Sequence, residues 1–128
     1  MKALLDTQAL IWAGQSPELL GTSARATISD GLSELLVSAA SAWEIATKVR
    51  IGKLPEAKAL ESRFLEEMVA SGYTLLPVTA EHALLAGRLV GAHRDPWDRM
   101  IAAQAVALDI PVISIDPQLD AFGVRRIW

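Results

Sequence analysis

Residues 95–116 read DPWDRMIAAQAVALDIPVISID. Asp95-Pro96 is the strongest helix start in the chain, an acid suited to the cap followed by a proline suited to the first turn. A run with helical spacing then continues to Asp109. After Pro111 comes a short run that is apolar except for Ser114 and ends in Asp116. A helix feeding a short apolar strand is the repeating unit of an α/β domain with a mainly parallel sheet.

The same alternation extends outward from this stretch. KALLD (2–6) is a brief apolar strand ending in an acid, and TQALIWAG (7–14) is a short helix closed by Gly14. TSARATISDG (22–31) reads as a helix capped by Thr22 or Ser23. ELLVSA (34–39) is a strand, and SAWEIATKVRIGKL (41–54) has helical spacing. EAKALESRFLEEMVASG (56–72) predicts one amphipathic helix with Leu60, Phe64, Leu65 and Met68 on one face. YTLLPV (73–78) is a strand, and TAEHALLAGRLVG (79–91) is a helix started by Thr79. PQLDAFG (117–123) is a short helix, and VRRIW (124–128) an edge strand. Short, nearly all-apolar strands are those of a sheet covered on both faces. The expectation is one domain over residues 1–128, with three α/β/α layers around a short, mainly parallel central sheet.

Composition narrows the chemistry. The 128 residues include no cysteine, which excludes thiolate metal sites and thiol nucleophiles. The net charge of −3 argues against a protein that coats nucleic acid by broad phosphate neutralisation. No apolar run approaches the roughly 18 residues of a membrane span. The acid at position 6 interrupts the apolar stretch that a secretory leader would need, so a soluble, cytoplasmic protein is expected.

Open parallel sheets bind ligands beyond the carboxyl ends of their strands. Asp6 and Asp116 stand at such ends, either as caps of the following helices or as groups projecting into a shared crevice. Glu44 follows the strand ELLVSA by one helical turn. Ser41-Ala42-Trp43-Glu44 also fits a capping box, in which Glu44 would bond the Ser41 amide. Asp95 and Asp98 suit the positive start of their helix. One cap is enough, however, and local helix chemistry leaves the recurrence of acids at four separate element ends unexplained. Convergent carboxylates without cysteine or paired histidines make an all-oxygen site suited to Mg²⁺ or Mn²⁺. Phosphodiester hydrolysis is the reaction such sites most often serve, and it needs no protein nucleophile.

These residues resemble a known family. LLDTQALIWA, LLVSAASAWEIATKVRIGKL, HRDPWDRMIAAQA and ISIDPQLDAFGV are similar, in order and spacing, to the motifs of PIN-domain ribonucleases, above all the VapC-type toxins of bacterial toxin–antitoxin modules. The resemblance implies a Mg²⁺- or Mn²⁺-dependent endoribonuclease acting on tRNA or ribosomal RNA. It implies Asp6, Glu44, Asp98 and Asp116 as the four acids, with Asp6 and Asp98 as the main direct ligands. Thr7 and Ser114 match the family's small hydroxyl residues as supporting hydrogen bonders, and Asp95 is assigned a supporting place beside them. It further implies a homodimer and a VapB-type antitoxin, the pair binding operator DNA through the antitoxin.

Other residues carry weaker signals. Arg94, Arg99, Lys48, Arg50 and Lys53 lie near the acids and are candidates for a rim that meets RNA phosphates. Arg99 has Asp95 one turn before it as an alternative partner. His82 and His93 read as surface or helix-start residues. Trp12 and Trp97 are open candidates for base stacking, Trp43 is expected to pack in the core or a dimer interface, and Trp128 to pack at an edge. Two other functions compete with the nuclease. A receiver-like phosphotransfer domain normally has a late lysine, and none follows Lys58. A non-catalytic binding module would use the acids only as caps.

Overall fold

A computed structural model describes residues 1–128. Its first half runs β1 (Lys2–Leu5), α1 (Thr7–Gln15), α2 (Thr22–Ser29), β2 (Glu34–Ser38), α3 (Ala39–Arg50), α4 (Lys58–Ser62), α5 (Phe64–Ala70) and β3 (Thr74–Leu76). There follow α6 (Ala80–Arg88), α7 (Pro96–Leu108), β4 (Val112–Ile113), a 3-10 helix over Pro117–Phe122 and β5 (Arg126–Ile127). The five strands lie in the order β3-β2-β1-β4-β5, and every pairing is parallel.

Side chains alternate across the strands and bury both faces. Ala3, Leu5, Leu35, Val37 and Ile113 point to one side, where they pack with Leu10 and Ile11 of α1, Ile45 of α3 and Met68 of α5. Leu4, Leu36 and Val112 point to the other, against Ile101, Ala102 and Ala105 of α7. These two cores make the three expected layers. Each fully buried leucine of β1 contributes about 1.5–3 kcal/mol by leaving water.

The strand order sets the position of the site. From β1 the chain steps outward through β2 to β3, then returns to the other side of β1 for β4 and β5. The direction of progression therefore reverses between β1 and β4, where such sheets open a crevice at their carboxyl ends. Leu5 pairs with Ile113 and Val37, so Asp6, Ser114 and Ser38 are the next residues in register at that edge.

Several boundaries differ from expectation, each for a physical reason. Strand β2 runs straight into α3 with no loop, and Ser38, rather than Ser41, is the cap, accepting from the Ala40 amide at 3.0 Å. Ser41 and Glu44 are thus interior helix positions and form no capping box. Helix α2 begins after Gly21, not with Thr22 or Ser23 as cap, because the Trp128 carbonyl accepts from the Ser23 and Ala24 amides at 2.8 and 3.0 Å. Trp128 comes so close that a Cβ at position 21 would stand 2.6 Å from its backbone, which glycine alone avoids. Helix α1 runs past Gly14 to Gln15.

The single helix expected over 56–72 is divided. Arg63, with φ −129°, separates α4 from α5. Phe64 and Met68 are buried, but Leu65 is 68% exposed and lies off their face. Helix α6 ends at Arg88, and β3 and β4 are shorter than the apolar runs that contain them. His82 is a core residue: its Nδ1 accepts from the Thr79 amide in a capping box, and Gln104 Nε2 lies 3.2 Å from the same nitrogen. No helix is long and apolar enough to cross a membrane.

Candidate active site

All four acids of the sequence pattern lie around the crevice. Asp6 follows β1 directly and is buried. Its carboxylate caps α1, accepting from the Ala9 amide at 2.7 Å. Asp116 follows β4 and caps the 3-10 helix, accepting from Gln118 at 2.9 Å. At both strand ends one carboxylate oxygen starts a helix while the group also faces the crevice, so cap and crevice placements coexist.

Helices α3 and α7 meet across this edge of the sheet. Trp43 on one stands edge-on to Trp97 on the other, with ring centroids 5.3 Å apart. Glu44, next to Trp43, turns inward and is buried. The Thr7 hydroxyl donates to Glu44 Oε1 and lies 3.0 Å from the Ser41 hydroxyl. Lys48, one turn along α3, donates to Glu44 Oε2. Burial depresses the Lys48 pKa, but the hydrogen bond and charge of Glu44 outweigh it and hold the ammonium above its ordinary value.

Asp98 sits in the first turn of α7. Asp95 is the cap, its Oδ1 accepting from Trp97 and Asp98 amides at 2.9 and 3.1 Å. Asp98 Oδ2 instead faces His93 Nε2 at 2.8 Å, and Asp116 Oδ2 is 3.3 Å from the same nitrogen. One ligand atom from each of His93, Asp98 and Asp116 falls within 4.8 Å of the others. Asp6 and Glu44 lie outside this tight group but close enough for their charges to repel Asp98.

The electrostatics are those of a site built for a cation. Burial raises the Asp6 pKa from 3.8 to about 6, against hydrogen bonds from Ser114 and the Ala9 amide, and Asp98 and Glu44 raise it further. Burial also raises Asp98 to about 6, followed by the charge of Asp95, while His93 pulls the other way. Buried like charges of this kind are costly unless a cation shares them. The donors, carboxylate oxygens with one imidazole, are of the kind that hold a divalent cation, and His93, Asp98 and Asp116 are the three whose ligand atoms stand together.

The remaining residues divide by what they touch. Ser114 is fully buried, and its hydroxyl accepts from the Asp116 amide at 3.0 Å, tying the two ends of this turn together. Arg94, Arg50 and Lys53 are exposed. Arg99 forms no pair with Asp95; its guanidinium is consumed by the carbonyls of Ala86, Leu89 and His93. Trp43 is not a core residue. It is 61% exposed, and with Trp97, Val78, Pro96 and Met100 it lines an apolar groove of about 470 Å³. Trp12 packs on Trp128, with centroids 5.9 Å apart. Sequence reasoning missed His93 as a site residue; its place just before Asp95-Pro96 was the available signal.

Comparisons with known proteins agree with this architecture. Over 64 residues the chain is 41% identical to Ribonuclease VapC16 of Mycobacterium tuberculosis (strain ATCC 25618 / H37Rv), covering 50% of this chain and 44% of that protein. The aligned region thus spans less than half of that relative's length. Among solved structures, VapBC2 from Rickettsia felis, bound to a DNA fragment from its promoter, superposes with a TM-score of 0.71 at 14% identity, over 100% of both chains. Mycobacterium tuberculosis VapC20, a sarcin-ricin loop cleaving toxin, superposes with a TM-score of 0.68 at 16% identity, over 95% of both chains. At these identities the likeness is one of fold. The PIN domain family model matches residues 3–124, a span that takes in each acid from Asp6 to Asp116, and the chain belongs to that family.

Proposed function

We propose that residues 1–128 form a single PIN domain that acts as a metal-dependent endoribonuclease, the toxin of a toxin–antitoxin pair. The observation that carries this reading is the gathering of Asp6, Glu44, Asp98 and Asp116 at the one reversal point of the sheet. Bound there, Mg²⁺ or Mn²⁺ supplies Lewis acidity, lowering the pKa of a water and offsetting charge that builds on the phosphodiester. Asp6, Asp98 and Asp116 would hold the ion. Thr7 and Lys48 fix Glu44 from both oxygens, so that it is poised to orient the attacking water. Ser114 and Asp95 support Asp6 and the start of α7. Exposed Arg94 and Arg50 are the cations best placed to meet RNA phosphates, while Lys48 and Arg99 have partners within the protein.

The proposed substrate is structured RNA, tRNA or ribosomal RNA; one fold relative is named for cleaving the sarcin-ricin loop. The proposed partners are a second copy of the chain and a VapB-type antitoxin through which the pair would bind operator DNA; one fold relative is VapBC2 bound to a DNA fragment from its promoter. The proposed location is the cytoplasm. The test is cleavage of total RNA by the purified chain with Mg²⁺ or Mn²⁺, with chelator, and with Asp98→Asn. Cleavage stopped by chelator and by the variant is the expected result. Cleavage indifferent to both overturns the reading, as does an intact, folded chain that leaves RNA uncut with either ion.

A further inference from the structure

The four acids leave His93 without a role in the proposed reaction. Its Nε2 lies 2.8 Å from Asp98 Oδ2 and 3.3 Å from Asp116 Oδ2. Adjacent donors on one small dication, each bound at about 2.1 Å in octahedral geometry, stand about 3 Å apart. Both separations match that spacing, so the imidazole nitrogen is placed where a further donor beside Asp98 and Asp116 belongs.

The ring is held before any ion arrives. It stacks on Phe122, with centroids 6.4 Å apart and planes 12° from parallel. The His93 carbonyl accepts from Arg99 Nη1 at 3.1 Å, and the same guanidinium lies 5.3 Å from the Phe122 ring centre. Gly91 lets this loop pass close to Phe122, since a Cβ there would stand 2.6 Å from Phe122 Cε1. A side chain that only shielded two acids from solvent would need none of this fixation, whereas a ligand must be oriented by its surroundings.

We propose that His93 is a nitrogen donor to the divalent ion held by Asp98 and Asp116, and that it biases the site toward Mn²⁺ over Mg²⁺. This inference rests on the nuclease reading and deepens it. Mg²⁺ takes oxygen ligands and water, and gains little from imidazole; transition-metal dications accept the nitrogen. The chain has only two histidines. His82 is buried, with its Nδ1 already accepting from the Thr79 amide, so a nitrogen seen at the ion has one source.

The experiment adds Mn²⁺ alone to the purified full chain, without RNA, and reads nitrogen coupling at the ion by pulsed electron paramagnetic resonance. The expected result is a ¹⁴N modulation that changes to the ¹⁵N pattern when histidine rings are labelled. In calorimetry, His93→Gln should weaken Mn²⁺ binding by about tenfold or more and Mg²⁺ binding by less than about threefold. The labelled wild-type measurement needs no variant, so poor folding of His93→Gln does not remove the test. Mn²⁺ bound without nitrogen coupling overturns the His93 assignment and leaves the nuclease reading standing. A folded chain that binds Mg²⁺ but no Mn²⁺ overturns the His93 assignment alone, and one that binds neither ion overturns both.

Discussion

Thr7 and Glu44 are 37 residues apart and meet in the core, the Thr7 hydroxyl donating to Glu44 Oε1 while Lys48 donates to Oε2. Glu44 is therefore compensated on both oxygens by the protein itself. Asp6 and Asp98 have no lysine or arginine partner, and burial raises both from 3.8 to about 6. On the proposed function, this division would give the ion mainly to the aspartates and leave Glu44 oriented but not consumed.

Removing the Thr7 hydroxyl should expose that dependence. Thr7→Val keeps the shape and leaves one oxygen of a buried carboxylate without its donor. The expected cost is about 1–3 kcal/mol in urea unfolding, and Thr7→Ser should restore most of it. Equal stability of Thr7→Val and the wild type would show that Ser41 or water replaces the bond.

The raised acids predict a pH signature in the ion-free chain. Both bind a proton more tightly folded than unfolded, since their pKa rises from 3.8 to about 6. Their contribution to stability is thus whole below the unfolded value and is lost as pH climbs through the folded one. Asp98→Asn cannot ionise and escapes this loss. In chelator its stability relative to wild type should grow between about pH 4 and about pH 7, by the linkage of proton binding to folding. A difference that stays flat across that range would mean the Asp98 pKa is ordinary.

Much of this arrangement was legible in the chain, and the exceptions have a common cause. Asp95-Pro96 announces a helix start by local rules, and α7 begins there. Asp6 and Asp116 announce strand ends because an apolar run stops at each. The start of α3 was misplaced because Ser38 and Ser41 are equally good caps locally. Tertiary contact decides between them: Ser38 at the strand end accepts from the Ala40 amide, whereas the Ser41 hydroxyl is taken by Thr7. His93 was passed over for the same kind of reason. Besides Asp98, five residues on, what surrounds it is Phe122 and Asp116, more than twenty residues later, and its place just before Asp95-Pro96 is the one local signal. The break at Arg63 is equally silent, since the residues on either side keep helical spacing.

Asp95 and Asp98 should separate cleanly by mutation. Asp95 bonds two amides and caps α7, so Asp95→Ala should cost about 1 kcal/mol. Asp95→Asn should cost far less, asparagine being as good a cap. Asp98→Asn should keep the fold yet reduce RNA cleavage by more than about 100-fold, beyond the loss typical of residues that only orient a ligand. Greater loss of cleavage in Asp95→Asn than in Asp98→Asn would reverse the two roles.

Arg99 offers the sharpest structural test. Its Nε and Nη2 both reach the Ala86 carbonyl, at 3.1 and 2.8 Å, Nη2 also reaches Leu89, and Nη1 reaches His93. Ala86 lies in the last turn of α6 and Leu89 just past its end, where carbonyls lack helical partners and favour a cation. One planar fork thereby ties the end of α6 to the loop that carries His93. A lysine keeps the charge but cannot span three carbonyls in that geometry. Arg99→Lys should therefore lose about 1–3 kcal/mol of stability. Hydrogen exchange should quicken at amides 89–95 and stay unchanged in α1, which Arg99 does not touch. If the strap acts only through charge, lysine will serve as well as arginine, and the loop amides of the variant will exchange at the wild-type rate.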